Sequence, residues 1–241
     1  MMIRYVGCVW FCLMICWMTS LVGCQHESAK VSAQEPSDPS PEVAAVEPVT
    51  DQFKKTESLF DGETLDRWEL TEFGGEGDVS VEDGCIVMNA GDPITAINLP
   101  ESFALPTTNY EIQYEALKVE GTDFFGTITF PVGDSFCSMV IGGWAGTVVG
   151  LSSIDGVDAS ENETRSVRKF ERNHWYRLRV RVTPDAIQGW IDDEQVIHQS
   201  IIGKKVALRP EMIPCRPLGI ANFYTIAKIK NIELRWLADS P

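Results

Sequence analysis

A chain of 241 residues with 44% hydrophobic and 23% charged content has ordinary globular composition, which excludes collagen-like, wholly disordered and small disulfide-framework classes. A formal charge of -15 repels phosphate backbones, so nucleic acid is not an expected partner. The charge is uneven: residues 59–164 hold 2 Lys+Arg against 20 Asp+Glu and residues 165–241 hold 14 against 8, which predicts that the two halves complement each other inside one fold.

The first 24 residues carry one charge, Arg4, then an apolar stretch from Tyr5 to Met18, then Thr19-Ser20-Leu21-Val22-Gly23-Cys24. This is the pattern of a secretory leader over residues 1–23. Leu21-Val22-Gly23-Cys24 resembles the lipobox of bacterial lipoproteins, whose Cys becomes the lipidated first residue, so Cys24 is the expected lipidation site. The alternative is an uncleaved amino-terminal membrane anchor, but the apolar stretch is shorter than the ~20 residues that span a bilayer. Either way the body is expected in the cell envelope, anchored at a membrane facing the periplasm or the exterior, where several acyl chains would hold it stably. Residues 24–58 then read as a tether: Pro36, Pro39, Pro41 and Pro48 stiffen a Ser/Glu-rich segment too poor in apolar side chains to fold.

Residues 59–241 are expected to form one all-β domain, an antiparallel β-sandwich. Alternation dominates: Tyr110, Ile112 and Tyr114 share one face, and Tyr176, Leu178, Val180 and Val182 repeat the pattern, as do Ile232, Leu234 and Trp236. Turn signals at Glu82-Asp83-Gly84, Thr183-Pro184-Asp185 and Asp192-Asp193 separate short strand-like runs. Ser135 to Ile154 is free of charge and carries Gly142, Gly146 and Gly150 at the spacing of packed membrane helices. Its serines, threonine and extra glycine fit two buried strands around a Gly-Gly-Trp-Ala-Gly turn better.

Of seven cysteines only Cys85, Cys137 and Cys215 lie in the body. They are expected to act as buried small apolar residues, with a bridge between two of them the alternative in an exported protein. His26, His174 and His198 are the only histidines, with no HEXXH and no GxSxG, which argues against zincin and serine-hydrolase chemistry.

The runs Leu59-Phe60-Asp61-Gly62 through Leu65 and Trp68, Val81-Glu82-Asp83-Gly84 and Asn109-Tyr110-Glu111-Ile112 form a recognisable set. His174-Trp175-Tyr176, the Trp190-Ile191-Asp192 hairpin and the closing Pro217-Leu218-Gly219-Ile220 to Lys230-Asn231-Ile232-Glu233-Leu234 complete it. Together, over about residues 59–237, they resemble the bacterial 3-keto-disaccharide hydrolase domain family with its concanavalin A-like jelly roll. The resemblance implies carbohydrate as ligand and cleavage of 3-keto-glycosides as activity. Where the family has Asn-Ser-Gly before its central strand, this chain reads Asp123-Phe124-Phe125-Gly126, so the resemblance carries over no central site residue.

Site candidates therefore come from the residues themselves. The loop 155–164 concentrates Asp155, Asp158, Glu161 and Glu163 ahead of Arg165 and Arg168. Glycoside acid-base chemistry needs two carboxylates held at different pKa values, which makes Asp158 and Glu161 the catalytic candidates with Asn162 and Arg165 as neighbouring donors. Oxygen-rich loops also suit a divalent cation such as Ca²⁺, and charge runs are commonly no more than solvated surface. Trp144, at a Gly-rich turn, and Trp190, sharing a face with Gln188, are candidates for sugar stacking. Arg179 belongs to an arginine row that either meets a ligand or pairs with Glu111, Glu115 or Glu233 across strands. The expected function is an exported, lipid-anchored enzyme acting on carbohydrate, with a non-catalytic lectin-like module or an envelope-assembly partner as alternatives.

Overall fold

The computed structural model describes residues 52–238. The expected leader, Cys24 and the tether through residue 51 lie outside the described residues. In chain order the strands are β1 (Phe53–Ser58), β2 (Glu69–Leu70), β3 (Val79–Glu82), β4 (Cys85–Met88), β5 (Ile94–Asn98), β6 (Tyr110–Gly121), β7 (Thr127–Val132) and β8 (Ser135–Gly142). They continue as β9 (Val148–Ser152), β10 (Ser166–Val167), β11 (Trp175–Val182), β12 (Ala186–Ile191), β13 (Glu194–Ser200), β14 (Gly219–Phe223) and β15 (Thr225–Leu237). One antiparallel sheet has the order β13-β12-β11-β6-β15-β4-β3, with β1 also on β15, and the second has the order β10-β9-β8-β7-β14-β5-β2. The domain is the all-β sandwich that the alternating pattern predicts.

Register explains why the pattern suffices. β6 and β11 pair Tyr110 with Val182, Ile112 with Val180 and Tyr114 with Leu178, all fully buried, and the same register places Glu111, Gln113 and Glu115 opposite Arg181, Arg179 and Arg177 on the outer face. A slip of one residue would exchange these sets and bury the charges. The Tyr110 and Tyr114 hydroxyls, buried in the core, donate to the Pro131 and Gly126 carbonyls at 2.5 Å, tying the first sheet to the second. Their side chains thus supply apolar area without leaving a buried polar atom unpaired.

In the second sheet both faces are covered, so its central strands carry almost no charge. Ile128, Phe130, Met139, Ile141, Val149 and Leu151 face the core, while Thr127, Ser138, Val140 and Ser152 face outward beneath the loop 155–165 and a 3-10 turn, Pro210–Cys215. This explains the uncharged run 135–154: it forms β8, a turn and β9, and among the described residues no helix is long and apolar enough to cross a membrane. Gly150 admits the covering loop, since a Cβ there would lie 3.2 Å from the Ala159 carbonyl oxygen and 3.0 Å from Thr164 Oγ1.

The folded unit begins earlier than the sequence pattern suggests. Residues 53–58, within the expected tether, form β1 against β15, with the Phe53 ring 5.4 Å from the Arg235 guanidinium. An edge strand that is mostly exposed has no apolar alternation to reveal it. Cys85, Cys137 and Cys215 are free and buried, and burial pushes the Cys137 and Cys215 thiols up to about 12. They act as small apolar residues, with no bridge between them.

Candidate functional site

The outer face of the second sheet holds a cavity of about 200 Å³. Its floor is Thr127, Ser138 and Val140 from β7 and β8 and Ser152 from β9; Ile94, Phe124, Met212 and Phe223 form the walls. Trp144, Asp123, Arg209 and Glu211 stand around its opening. Trp144 is 39% exposed and belongs to the turn Gly143–Gly146 between β8 and β9. Both Trp144 (φ 48°) and Ala145 (φ 66°) are left-handed, a conformation that costs about 1–3 kcal/mol per non-glycine residue and persists only where the surroundings impose it. The imposing contact is Asp123, whose Oδ2 accepts the Ala145 N–H at 2.9 Å while its Oδ1 accepts the Phe124 N–H at 2.8 Å. Behind it, the buried Lys118 ammonium donates to the Asp123 carbonyl at 3.1 Å; burial lowers the Lys118 pKa, and the Asp123 charge opposes that shift.

Arg209 is the electrostatic centre of the rim. Its Nη1 donates to Asp158 Oδ2 and its Nε to Glu211 Oε1, each at 2.5 Å, and its guanidinium carbon lies 5.7 Å from the centre of the Trp144 ring. Asp158 also accepts from Ser152 Oγ at 3.4 Å, which links the rim to the floor. One cation thus serves two carboxylates beside an accessible indole, an arrangement suited to the polar edge and apolar face of a sugar ring.

A family match covers residues 55–235, that of the 3-keto-alpha-glucoside-1,2-lyase-like domain. The chain belongs to this family. Comparison with curated protein sequences yields no match. Among solved structures, a Crh5 transglycosylase in complex with NAG shares 13% identity at a TM-score of 0.50, covering 76% of this chain and 84% of its own. An O-glycanase structure from prominent members of the human gut microbiota shares 12% identity at a TM-score of 0.50, covering 78% of this chain and 100% of its own. Domain 4 of the GH43 arabinanase AbnA from Geobacillus stearothermophilus, in complex with arabinotriose, shares 15% identity at a TM-score of 0.47, covering 72% and 84%. The likeness to the first two is one of fold alone.

Within that family framework the sequence candidates separate into three groups. Trp144 lines the rim and Asp158 adjoins it by binding Arg209, a cation from the other end of the chain rather than Arg165 or Arg168. Arg168 instead pairs with Glu194 at 2.7 Å, and Arg165 is exposed. Glu161 is exposed and, like Asp158, does not line the cavity; Asp158 is joined to the cavity through Arg209 and Ser152. Asn162 is buried as a structural residue: its amide donates to the Leu151 and Val157 carbonyls and its oxygen accepts from Thr164, which holds the loop on the sheet. Trp190, Arg179 and Gln188 lie on the outer face of the other sheet, across the core from the cavity. There the Arg179 guanidinium stacks 4.2 Å from the Trp190 ring, and Arg179, Arg181 and Arg235 surround the fully buried Glu111 carboxylate at 3.7, 2.7 and 3.3 Å. Cross-strand pairing accounts for this row.

The remaining loop carboxylates turn to cations rather than to one another. Lys204 lies 3.0 Å from both Asp155 and Glu163, and these contacts, with the Lys205 N–H on Asp155, lower both carboxyl pKa values. Among the described residues no cluster of three or more His, Cys, Asp or Glu side chains could hold a metal ion. Sequence reading missed Asp123, Arg209 and Glu211. The departure from Asn-Ser-Gly at Asp123 was the available signal; Arg209, 51 residues from Asp158, had none.

Proposed function

We propose that this chain is an exported, lipid-anchored enzyme of the cell envelope that cleaves 3-keto-glycosides by 1,2-elimination at the Arg209 rim. The observation that carries the reading is the Asp158–Arg209–Glu211 cluster beside exposed Trp144, over a cavity in a domain of this family. A ketone at C3 acidifies the C2 hydrogen. In the proposed reaction the Asp158 carboxylate takes the C2 proton, the C2–H electron pair forms an enolate with charge on the C3 oxygen, and the Arg209 guanidinium stabilises that oxyanion. Collapse of the enolate forms the C1–C2 double bond and breaks the bond from C1 to the glycosidic oxygen, which takes the proton held by Asp158, leaves as the free alcohol and regenerates the carboxylate. Trp144 offers its ring to the sugar face, and Asp123 keeps that ring in place.

Incubating the full chain with a 3-keto-disaccharide and following products by mass spectrometry tests the reaction. Elimination yields an unsaturated keto-sugar one water lighter than the hydrolysis product, whereas hydrolysis yields the intact 3-keto-monosaccharide. An unchanged substrate that still binds would establish a second reading, a carbohydrate-binding module. That reading is favoured by one feature: Asp158 and Glu211 are both engaged by the same guanidinium. The anchor is tested separately, since Cys24→Ser is expected to release the protein from membranes, and retention with an intact leader would overturn it.

A further inference from the structure

The cavity is graded from rim to floor. At the rim, Trp144, Arg209 and Glu211 are accessible and three of the four surrounding groups are charged, whereas Ile94, Val140 and Met212 inside are only 4 to 5% exposed. Two rings face each other along the wall, Phe124 and Phe223, with centroids 5.4 Å apart and planes inclined by 42°. Each floor hydroxyl already has a partner within the protein: Thr127 Oγ1 accepts the Ile141 N–H, Ser138 Oγ pairs with Thr129 Oγ1 at 2.8 Å, and Ser152 Oγ accepts the Ala159 N–H. A sugar ring pushed into this interior would surrender hydration at nearly every carbon and find apolar walls in exchange. An aromatic ring would not, and an apolar cavity of about 150 Å³ is already large enough to take benzene. The volume here is about 200 Å³.

From this gradient we infer that the cavity is an aglycone site: the enzyme takes glycosides whose leaving group is an aromatic ring, with the ring inside against Phe124, Met212 and Phe223 and the sugar at the charged rim. This rests on the reading of the rim as the sugar site. The orientation places C1, the carbon that loses its substituent, between rim and cavity, so the released phenol departs from an apolar pocket beside Asp158 and Arg209.

Calorimetric titration of the full chain with phenyl and methyl α-glucoside tests the assignment; both lack the ketone and are not turned over. The phenyl compound is expected to bind roughly 10- to 100-fold tighter, the factor that burying one phenyl-sized group supplies. Phe223→Ala is expected to reduce that advantage severalfold, whereas Trp144→Ala is expected to weaken both ligands alike. Independently of any variant, methyl-labelled methionine spectra are expected to show a ring-current shift at Met212 with the phenyl compound and none with the methyl compound. Equal affinity for the two glucosides, or an unshifted Met212 methyl at saturation, overturns the aglycone site and leaves the sugar site standing. Binding of neither compound at millimolar concentration overturns the sugar-rim reading itself.

Discussion

Replacing Arg209 by Met separates a structural clamp from a catalytic cation. The side chain keeps its apolar stem and loses two contacts of 2.5 Å, to Asp158 and Glu211. The three side chains are 35%, 34% and 42% exposed, so solvent screening holds each pair to about 0.2–1 kcal/mol, and losing both costs about 1–2 kcal/mol once the repulsion between the two freed carboxylates is included. For a domain of this size that corresponds to a fall in Tm of about 2–8 °C. Removing a donor positioned at a developing oxyanion costs much more in rate, about 10²- to 10³-fold. Arg209→Met is therefore expected to lower kcat/KM on a 3-keto-glycoside by about 100-fold or more in a protein still folded at the assay temperature. Arg209→Lys, which restores the charge but cannot span two carboxylates, is expected to recover more of the melting temperature than of the rate. A loss in kcat/KM smaller than about 10-fold, or about 1.4 kcal/mol, would assign Arg209 to the clamp alone and refute the oxyanion role.

Asp158→Asn is expected to lower turnover by about 10²-fold while Glu161→Gln leaves it unchanged, because only Asp158 touches the rim; equal losses in steady-state assays would put Glu161 back in the site. Glu111→Gln strands three arginines around a buried position and is expected to cost about 3 kcal/mol in urea unfolding with sugar binding intact; a change under about 0.5 kcal/mol would show that the arginines repack without it. Lys204→Ala is expected to raise the Glu163 pKa more than that of Asp155, whose lowering comes first from the Lys205 N–H, and carboxyl NMR titration reads the difference. Since both folded values lie below their ordinary ones, the stabilisation they contribute is present above the ordinary carboxylate range and disappears as pH falls through the lowered values. The Lys204→Ala protein is accordingly expected to lose part of its acid-side stability profile, and an unchanged profile would refute the linkage.

Much of the architecture was legible because a strand writes its own facing into the chain. The period-two alternation of Tyr110 to Ala116 and of Tyr176 to Val182 needs no partner to be read, and the partner's matching alternation fixes the register. The uncharged run of β8 and β9 likewise told of strands covered on both faces, and the glycines around Trp144 told of a turn that leaves a large ring accessible. The opposite charge of the two halves anticipated ion pairs between them, and strand alternation offered Glu111 as a partner of the arginine row; that Lys204 meets Asp155 was legible in kind but not in partner.

The site was decided elsewhere. Sheet order and the path of the covering segments bring Arg209 to Asp158 and turn Arg168 to Glu194, and no local periodicity encodes either contact. Asn162 looked like a ligand donor because a polar residue in a polar loop gives no sign of whether its amide meets solvent or backbone. In the folded chain the Leu151 and Val157 carbonyls claim it. Asp123 shows the same limit from the other side: its role is to hold Ala145, 22 residues away, in a left-handed conformation, and that demand exists only once β8 and β9 have closed the turn. Local sequence determined which faces are apolar; which charged side chains converge was left to contacts between distant segments, whose energies depend on where the packed sheets put them.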